Sequence, residues 1–291
     1  MQRERVTDYI FVFTSSLYVH VTASLILTPE GAILIDTLLY PEETLQLRQF
    51  VRERLNTEVR YVINTHYHAD HTLGTCFFEH AEVIAHQRCY ELLDTRGRES
   101  LARMQQNSAD MMRLSIVLPH RVFEDRLTLH VGGKTLQLRH SPGHSDDSIV
   151  VYLEDEQVLF AADTVMPLPH FVDGSFEALT ASLRGLQGRP YENIVQGHGD
   201  IVLRGEVESK LREDLNYLAK LDQAVMRAIE TSPNEAKLQK ALDGIKVEAC
   251  GKSSILLNGA AQQLHRSNVY ALAAQRRREL EATQQSQEGS Y

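Results

Sequence analysis

At 291 residues, with 43% hydrophobic and 24% charged side chains, the chain carries enough apolar mass for a full core, and its composition excludes disordered and collagen-like classes. A net charge of -9 and a pI of about 5.8 argue against broad affinity for nucleic acid or an anionic membrane. No run approaches the roughly twenty apolar residues of a membrane span, Met1–Arg5 is too charged to open an export signal, and the widely spaced Cys76, Cys89 and Cys250 suit reduced thiols; together these predict a cytoplasmic chain.

Residues 9–13, 17–28 and 32–35 are rich in Val, Ile, Leu, Phe and Tyr and are separated by Ser15-Ser16 and Pro29-Glu30-Gly31, which predicts an opening β-meander. Pro41 opens a helix through Leu45, Phe50, Val51 and Leu55, and a strand at 59–63 follows, an order that predicts an α/β sheet. That strand runs into Thr65-His66-Tyr67-His68-Ala69-Asp70-His71, where four potential metal ligands fall inside seven residues. Imidazole nitrogen and carboxylate oxygen suit zinc and its borderline neighbours, and each would need a polar partner if buried, so a metal loop explains the cluster better than packing does.

Next come a short helix over 73–79, a strand over 81–85 and helix from Gln87 to Arg113, broken near Gly97. Met104, Met111, Met112, Leu114, Ile116 and Val117 form an apolar segment that reads as core, with a pocket cover as the alternative. Strands over 121–131 and 135–139 are joined by Gly132-Gly133, and two more cover 148–153 and 157–162. Three apolar runs then end on a small-residue turn with a candidate ligand: 135–139 before Ser141-Pro142-Gly143-His144, 158–162 before Asp163, and 193–196 before Gly197-His198-Gly199. His66, His68, Asp70, His71, His144, Asp163 and His198 are more donors than one tetrahedral ion takes, and they fit two ions sharing a carboxylate. Asp146 and Asp147 read as turn residues that satisfy backbone amides.

Val207, Leu211, Leu215, Leu218, Leu221, Val225 and Ile229 recur at helical spacing, a stripe that must be buried against the rest of the chain or a second copy. Ser232-Pro233-Asn234-Glu235 has a capping-box pattern, so a second helix runs to Gly244; a third covers 255–282, and 283–291 is expected to fray.

The order His-x-His-x-Asp-His, Gly-His, Asp, Gly-His-Gly resembles the metallo-β-lactamase fold superfamily over roughly residues 8–204. The resemblance implies a four-layer αββα sandwich of the α/β class, a catalytic domain over 1–205, and a helical extension over 206–291 packed on it. Carried over by position, His66, His68 and His144 resemble the first metal site, Asp70, His71 and His198 the second, and Asp163 the bridge. Asp36, at the end of the third strand, then lies beneath the metal loop, where a carboxylate can orient a ligand imidazole; its other reading is a turn residue. Asp70 is also the catalytic candidate, orienting the attacking water and shuttling a proton, with Tyr67 or His170 as possible oxyanion donors.

Departures narrow the activity. Asp163 stands where the best-known zinc β-lactamases have cysteine, the residues after it lack the Gly-Cys-Gly-Arg-like run of glyoxalase II, and Met166 stands where acyl-homoserine lactonases carry tyrosine. The expectation is therefore two divalent ions, zinc first with iron or manganese as alternatives, and hydrolysis of a small-molecule ester, lactone, thioester or amide by a metal-bound hydroxide. A phosphodiesterase or nuclease of the same fold and a metabolite-binding sensor are the alternatives, although no basic stripe favours a nucleic-acid partner. Met166, Leu168, His170 and Phe171, on a proline-braced loop after Asp163, are assigned to the substrate, and the C-terminal helices to a possible homodimer interface.

Overall fold

In the computed structural model, which describes residues 1–288, two sheets lie face to face between outer helices. The first sheet takes its strands in sequence order: β1 (Gln2–Arg5), β2 (Ile10–Thr14), β3 (Thr22–Thr28), β4 (Gly31–Ile35), β5 (Val59–Ile63), β6 (Glu82–His86) and β7 (Arg121–Phe123). It is antiparallel from β1 to β4 and parallel from there to β7. In the second sheet β8 (Arg126–Val131), β9 (Lys134–His140), β10 (Ile149–Leu153), β11 (Val158–Ala162), β12 (Asn193–Gln196) and β13 (Val202–Leu203) lie side by side, with only β11 and β12 parallel.

Ile10, Ile33, Ile63 and Ile84 from one sheet meet Leu136, Leu138, Val151 and Phe160 from the other, forming the inner core. The outer face of the first sheet carries α1 (Pro41–Glu53) through Leu47 and Val51. The outer face of the second carries α5 (Phe176–Leu186) and α6 (Val207–Thr231). Sheets covered on both faces bury both sides of each strand, which is why Ile10–Thr14 and Val158–Ala162 read as continuous rather than alternating apolar runs. The expected αββα sandwich is thus present.

Several local expectations change. Residues 17–21 leave the expected second strand, because Val19 (φ 41°) and His20 (φ 53°) turn the chain through left-handed conformations before β3. Strand β1 is charged and exposed, so it has no hydrophobic signal; it forms as an edge strand held by its backbone ladder to β2. Helix α5 was not expected from the sequence, although Leu179, Leu183 and Leu186 are buried along one face and the Ser175 hydroxyl caps Ala178 N at 3.3 Å. The metal loop continues into a short α2 (Ala69–Thr72), and the break near Gly97 is a π-helical turn, Leu93–Gly97, joining α3 (Gln87–Leu92) to α4 (Arg98–Asn107).

Beyond α6 lie α7 (Glu235–Asp243) and α8 (Ala260–Glu288). The third C-terminal helix starts later than 255 because Leu257 and Asn258 are left-handed, and it continues through 283–288; residues 289–291 lie outside the described residues. Val207, Leu211, Leu218, Leu221 and Val225 share one cluster with Val150, Leu159 and Leu168, so the stripe is buried within the chain itself. Among the described residues no helix is long and apolar enough to cross a membrane.

Candidate metal centre

Every predicted ligand lies in a segment that follows a strand, and the sandwich brings all of these segments to one edge. His66 and His68 follow β5, Asp70 and His71 sit on α2, His144 follows β9, Asp163 follows β11 and His198 follows β12. A register shift between Phe160 and Ala162, with Ala162 at φ 44°, re-aims the chain just before Asp163. Gly197 then has to be glycine: a Cβ there would stand 1.8 Å from Asp163 Oδ1 and 2.6 Å from the carbonyl carbon of Ala162.

His68 Nδ1 lies 3.0 Å from both His66 Nε2 and His144 Nε2. On the other side, Asp70 Oδ2 lies 3.6 Å from His71 Nε2 and 3.4 Å from His198 Nε2. Asp163 stands between the groups, 3.3 Å from His71 Nε2, 3.2 Å from His144 Nε2 and 3.5 Å from His198 Nε2. Three overlapping sets, His66/His68/His144, His66/His71/Asp163 and Asp70/His71/His198, each gather their donor atoms within 4.8 Å of one another.

The far side of each ring settles what the near side can do. His71 Nδ1 lies 2.8 Å from Asp36 Oδ2, His144 Nδ1 2.9 Å from the His170 carbonyl, His198 Nδ1 2.9 Å from the Val19 carbonyl and His68 Nε2 3.1 Å from Asp173 Oδ2. His66 Nδ1 lies 3.1 Å from the Thr65 hydroxyl, which gives its own proton to Asp36 Oδ2 at 2.7 Å and so receives one from the ring. Carbonyls and carboxylates only accept, so each outer nitrogen carries a proton, and on a neutral ring the inner nitrogen turns a lone pair inward. Five inner ring nitrogens and two carboxylates are crowded into one buried site. Among them His71 Nε2 and Asp163 Oδ1 are buried without a hydrogen-bond partner. A cation fits this arrangement, and the oxygen partners behind the rings are those that orient metal-ligating histidines.

The charges are matched in the same way. Burial pushes His66 well below its usual range and His144 down to about 3, so these rings stay neutral, as ligands must. Burial opposes ionisation of Asp70, but His71 and His198 pull its carboxyl down to about 2; Asp163 is held low by the same neighbours with His144. In return, against burial, Asp163, Asp70 and Asp36 lift His71 to about 9. The carboxylates that attract a proton there would attract a divalent cation at the same place.

A model of the Metallo-beta-lactamase superfamily matches residues 18–226. The chain belongs to the metallo-β-lactamase superfamily. Among curated superfamily relatives, thioesterase pkgB of Emericella nidulans is 28% identical over 185 residues, 62% of this chain and 44% of that protein. The atrochrysone carboxyl ACP thioesterase of Claviceps purpurea is 22% identical over 78% of this chain and 65% of its own length. A linear primary-alkylsulfatase of Pseudomonas sp. is 24% identical over 68% and 45%. The chain thus spans about half the length of the curated relatives it matches. The solved structure of a metallo-beta-lactamase from Pontibacter korlensis shares the superfamily fold, with TM-score 0.63 and 21% identity over 75% of this chain and 98% of that one.

Asp36 sits beneath the loop, its carboxylate accepting from Thr65 N at 2.9 Å, the Thr65 hydroxyl and His71, with the residue itself at φ 59°. Asp147 accepts from Tyr67 N at 2.7 Å and so braces the metal loop through a backbone amide. Met166, Leu168 and Phe171 are buried, Leu168 and Phe171 in the cluster beneath α5 and α6, where they offer a substrate no surface. His170 is partly exposed, its ring centroid 5.8 Å from that of His144. The Tyr67 hydroxyl is taken by Asp173, which leaves it no free proton for an oxyanion. Cys76 lies outside the ligand groups, its thiol 3.3 Å from the Leu73 carbonyl. Thr65, Asp173 and the carbonyls of Val19 and His170 carry no motif. Asp173 lay in a loop already marked, but only the structure shows it joining His68, Tyr67 and Arg96.

Proposed function

We propose that this protein is a dinuclear metal-dependent hydrolase of small-molecule acyl thioesters or esters. The observation that carries the reading is the convergence of five inner ring nitrogens, each with an oxygen partner behind its ring, on the carboxylates of Asp70 and Asp163. In it His66, His68 and His144 would hold one ion and Asp70, His71 and His198 a second, with Asp163 available to both, and the imidazole-rich donor set would favour zinc. When bound, two such ions supply a nucleophilic water near neutral pH and polarise the scissile carbonyl. Asp70, ionised and partly open to solvent, would be the residue placed to hold a water at the site and to pass a proton from it to a leaving group.

A cleft of about 400 Å³ opens beside His68, lined by the apolar Ala69, Leu73 and Ile116 together with the polar Tyr67, Arg96, Glu99, Arg103 and Asp173. With His170 it takes over the substrate contact first assigned to Leu168 and Phe171. That relatives are named thioesterases favours acyl transfer to water over phosphodiester cleavage. On this reading residues 1–205 are the catalytic unit, and the chain from 206, described as far as 288, is its helical extension. Metal analysis followed by a panel of thioesters, esters, lactones, alkyl sulfates and phosphodiesters tests the proposal. Two ions per chain are expected, with thioesters or esters turned over best and Asp70→Asn slower by about two orders of magnitude. One ion at saturation, or a phosphodiester as best substrate, overturns it.

A further inference from the structure

Helix α8 reaches the ligand His144 through a line of buried polar groups, none of them in the metal motif. His265 Nε2 donates to the Ile245 carbonyl at 3.0 Å, which leaves Nδ1 to accept from the Tyr217 hydroxyl at 3.0 Å. The Tyr217 oxygen accepts from Asn268 Nδ2 at 3.1 Å, and the second hydrogen of that amide goes to the Pro169 carbonyl at 2.7 Å. Asn268 Oδ1 faces Phe171 N at 3.4 Å. A carbonyl only accepts and a backbone amide only donates, so the Asn268 side chain has a single orientation that satisfies both. Between its two anchor points lies His170, whose carbonyl takes the Nδ1 proton of His144. Tyr217 and Asn268 are both 0% exposed, and a buried network with every member satisfied locks one arrangement.

We propose that Asn268 is a positioning residue for the metal centre: by pinning Pro169 and Phe171 it fixes the His170 carbonyl, and with it the tautomer and ring plane that aim His144 Nε2 at His66 and His68. The inference rests on the metal reading of that site. Direct partners of ligand histidines are worth about ten- to a hundredfold in metal affinity. Asn268 acts one bond further out, so the low end applies.

The test is competitive zinc titration of the full chain against a chromogenic chelator, with the cobalt-substituted absorption spectrum and the melting temperature recorded in parallel. Asn268→Ala should weaken the ion at His66, His68 and His144 about tenfold, shift the cobalt spectrum and leave the other ion at its wild-type affinity. Tyr217→Phe, which keeps the ring and removes one anchor of the amide, should move the same ion less. Leu221→Ala, a fully buried cut in the same cluster, should lower the melting temperature while both affinities and the spectrum stay as in wild type. Should Asn268→Ala fail to fold, Tyr217→Phe decides alone. Wild-type affinities and spectrum in both variants, or parallel weakening of both ions in step with stability, overturn the inference. A wild-type chain that binds no zinc overturns the metal reading and this inference together, whereas a two-ion wild type with unaffected variants overturns the inference only.

Discussion

Gly197 shows how tightly Asp163, the proposed bridging carboxylate, is seated. This glycine is defended by space rather than by a backbone angle: a Cβ there would meet not only Asp163 Oδ1 but also the Ala162 carbonyl carbon at 2.6 Å and Asp163 N at 2.8 Å, backbone atoms that cannot swing aside as a side chain can. Gly197→Ala is therefore expected to displace Asp163 and cost the protein both ions, seen as loss of zinc in metal analysis of a chain that still shows its far-UV signature. Full metal content in that variant would mean that Asp163 does not bridge. Thr65 and Asp36 make the same point with hydrogen bonds, since one carboxylate fixes His71 directly and His66 through the threonine hydroxyl.

At the scale of elements, α6 is tied to the loop after Asp163 by charge as well as by apolar contact. Asp214 is fully buried on α6, paired with Lys210 of the same helix and with Lys252 at 2.7 Å, and Lys210 also donates to the Met166 carbonyl. One carboxylate facing two ammonium groups leaves the second cation poorly compensated. Burial, with Lys252 nearby, depresses Lys210 from 10.5 to about 8 although Asp214 pulls the other way. The sign follows: the folded chain holds this proton less tightly than the unfolded one, so between about pH 8 and 10.5 the unfolded chain binds more protons and this group's contribution to stability rises with pH. Lys210→Met removes that titration. Denaturant unfolding of the zinc-loaded proteins at pH 7.5 and 10 should show the stability of wild type relative to the variant increasing with pH, and a difference that stays flat or shrinks would contradict the assignment.

For the whole molecule, the outer core is shared. Val150 and Leu159 of the second sheet, Leu179 and Leu183 of α5, Leu211 and Leu221 of α6 and Leu272 of α8 belong to one buried cluster. Ending the chain at residue 205 would expose the sheet side of that cluster, several large apolar side chains at about 1.5–3 kcal/mol each, against a total stability of only about 5–15 kcal/mol. The truncated chain is expected to aggregate or to unfold without cooperativity in calorimetry. A truncated protein that melts like the full one would show that the helices are dispensable.

The ligand motif could be read from the sequence because it depends on local order, whereas the sandwich was legible only through the family resemblance that the motif carries. An apolar run that stops at a small-residue turn places its ligand at a strand end whatever surrounds it, and so His66, His68, Asp70, His71, His144, Asp163 and His198 could be named together. What fixes the direction of each ring could not be read in that way. The Val19 and His170 carbonyls, Asp173 and Asn268 contribute through a backbone oxygen or a single side chain brought from far along the chain, and such partners leave no periodicity, spacing or composition to recognise. Loop burial was equally invisible: Leu168 and Phe171 are apolar residues beside a metal ligand, and only the packing of α5 and α6 over them decides that they face the core rather than a substrate. Residue type and order along the chain determined which atoms can bind metal, and the tertiary structure decided which of their lone pairs point at it, because hydrogen-bond direction depends on where distant groups lie.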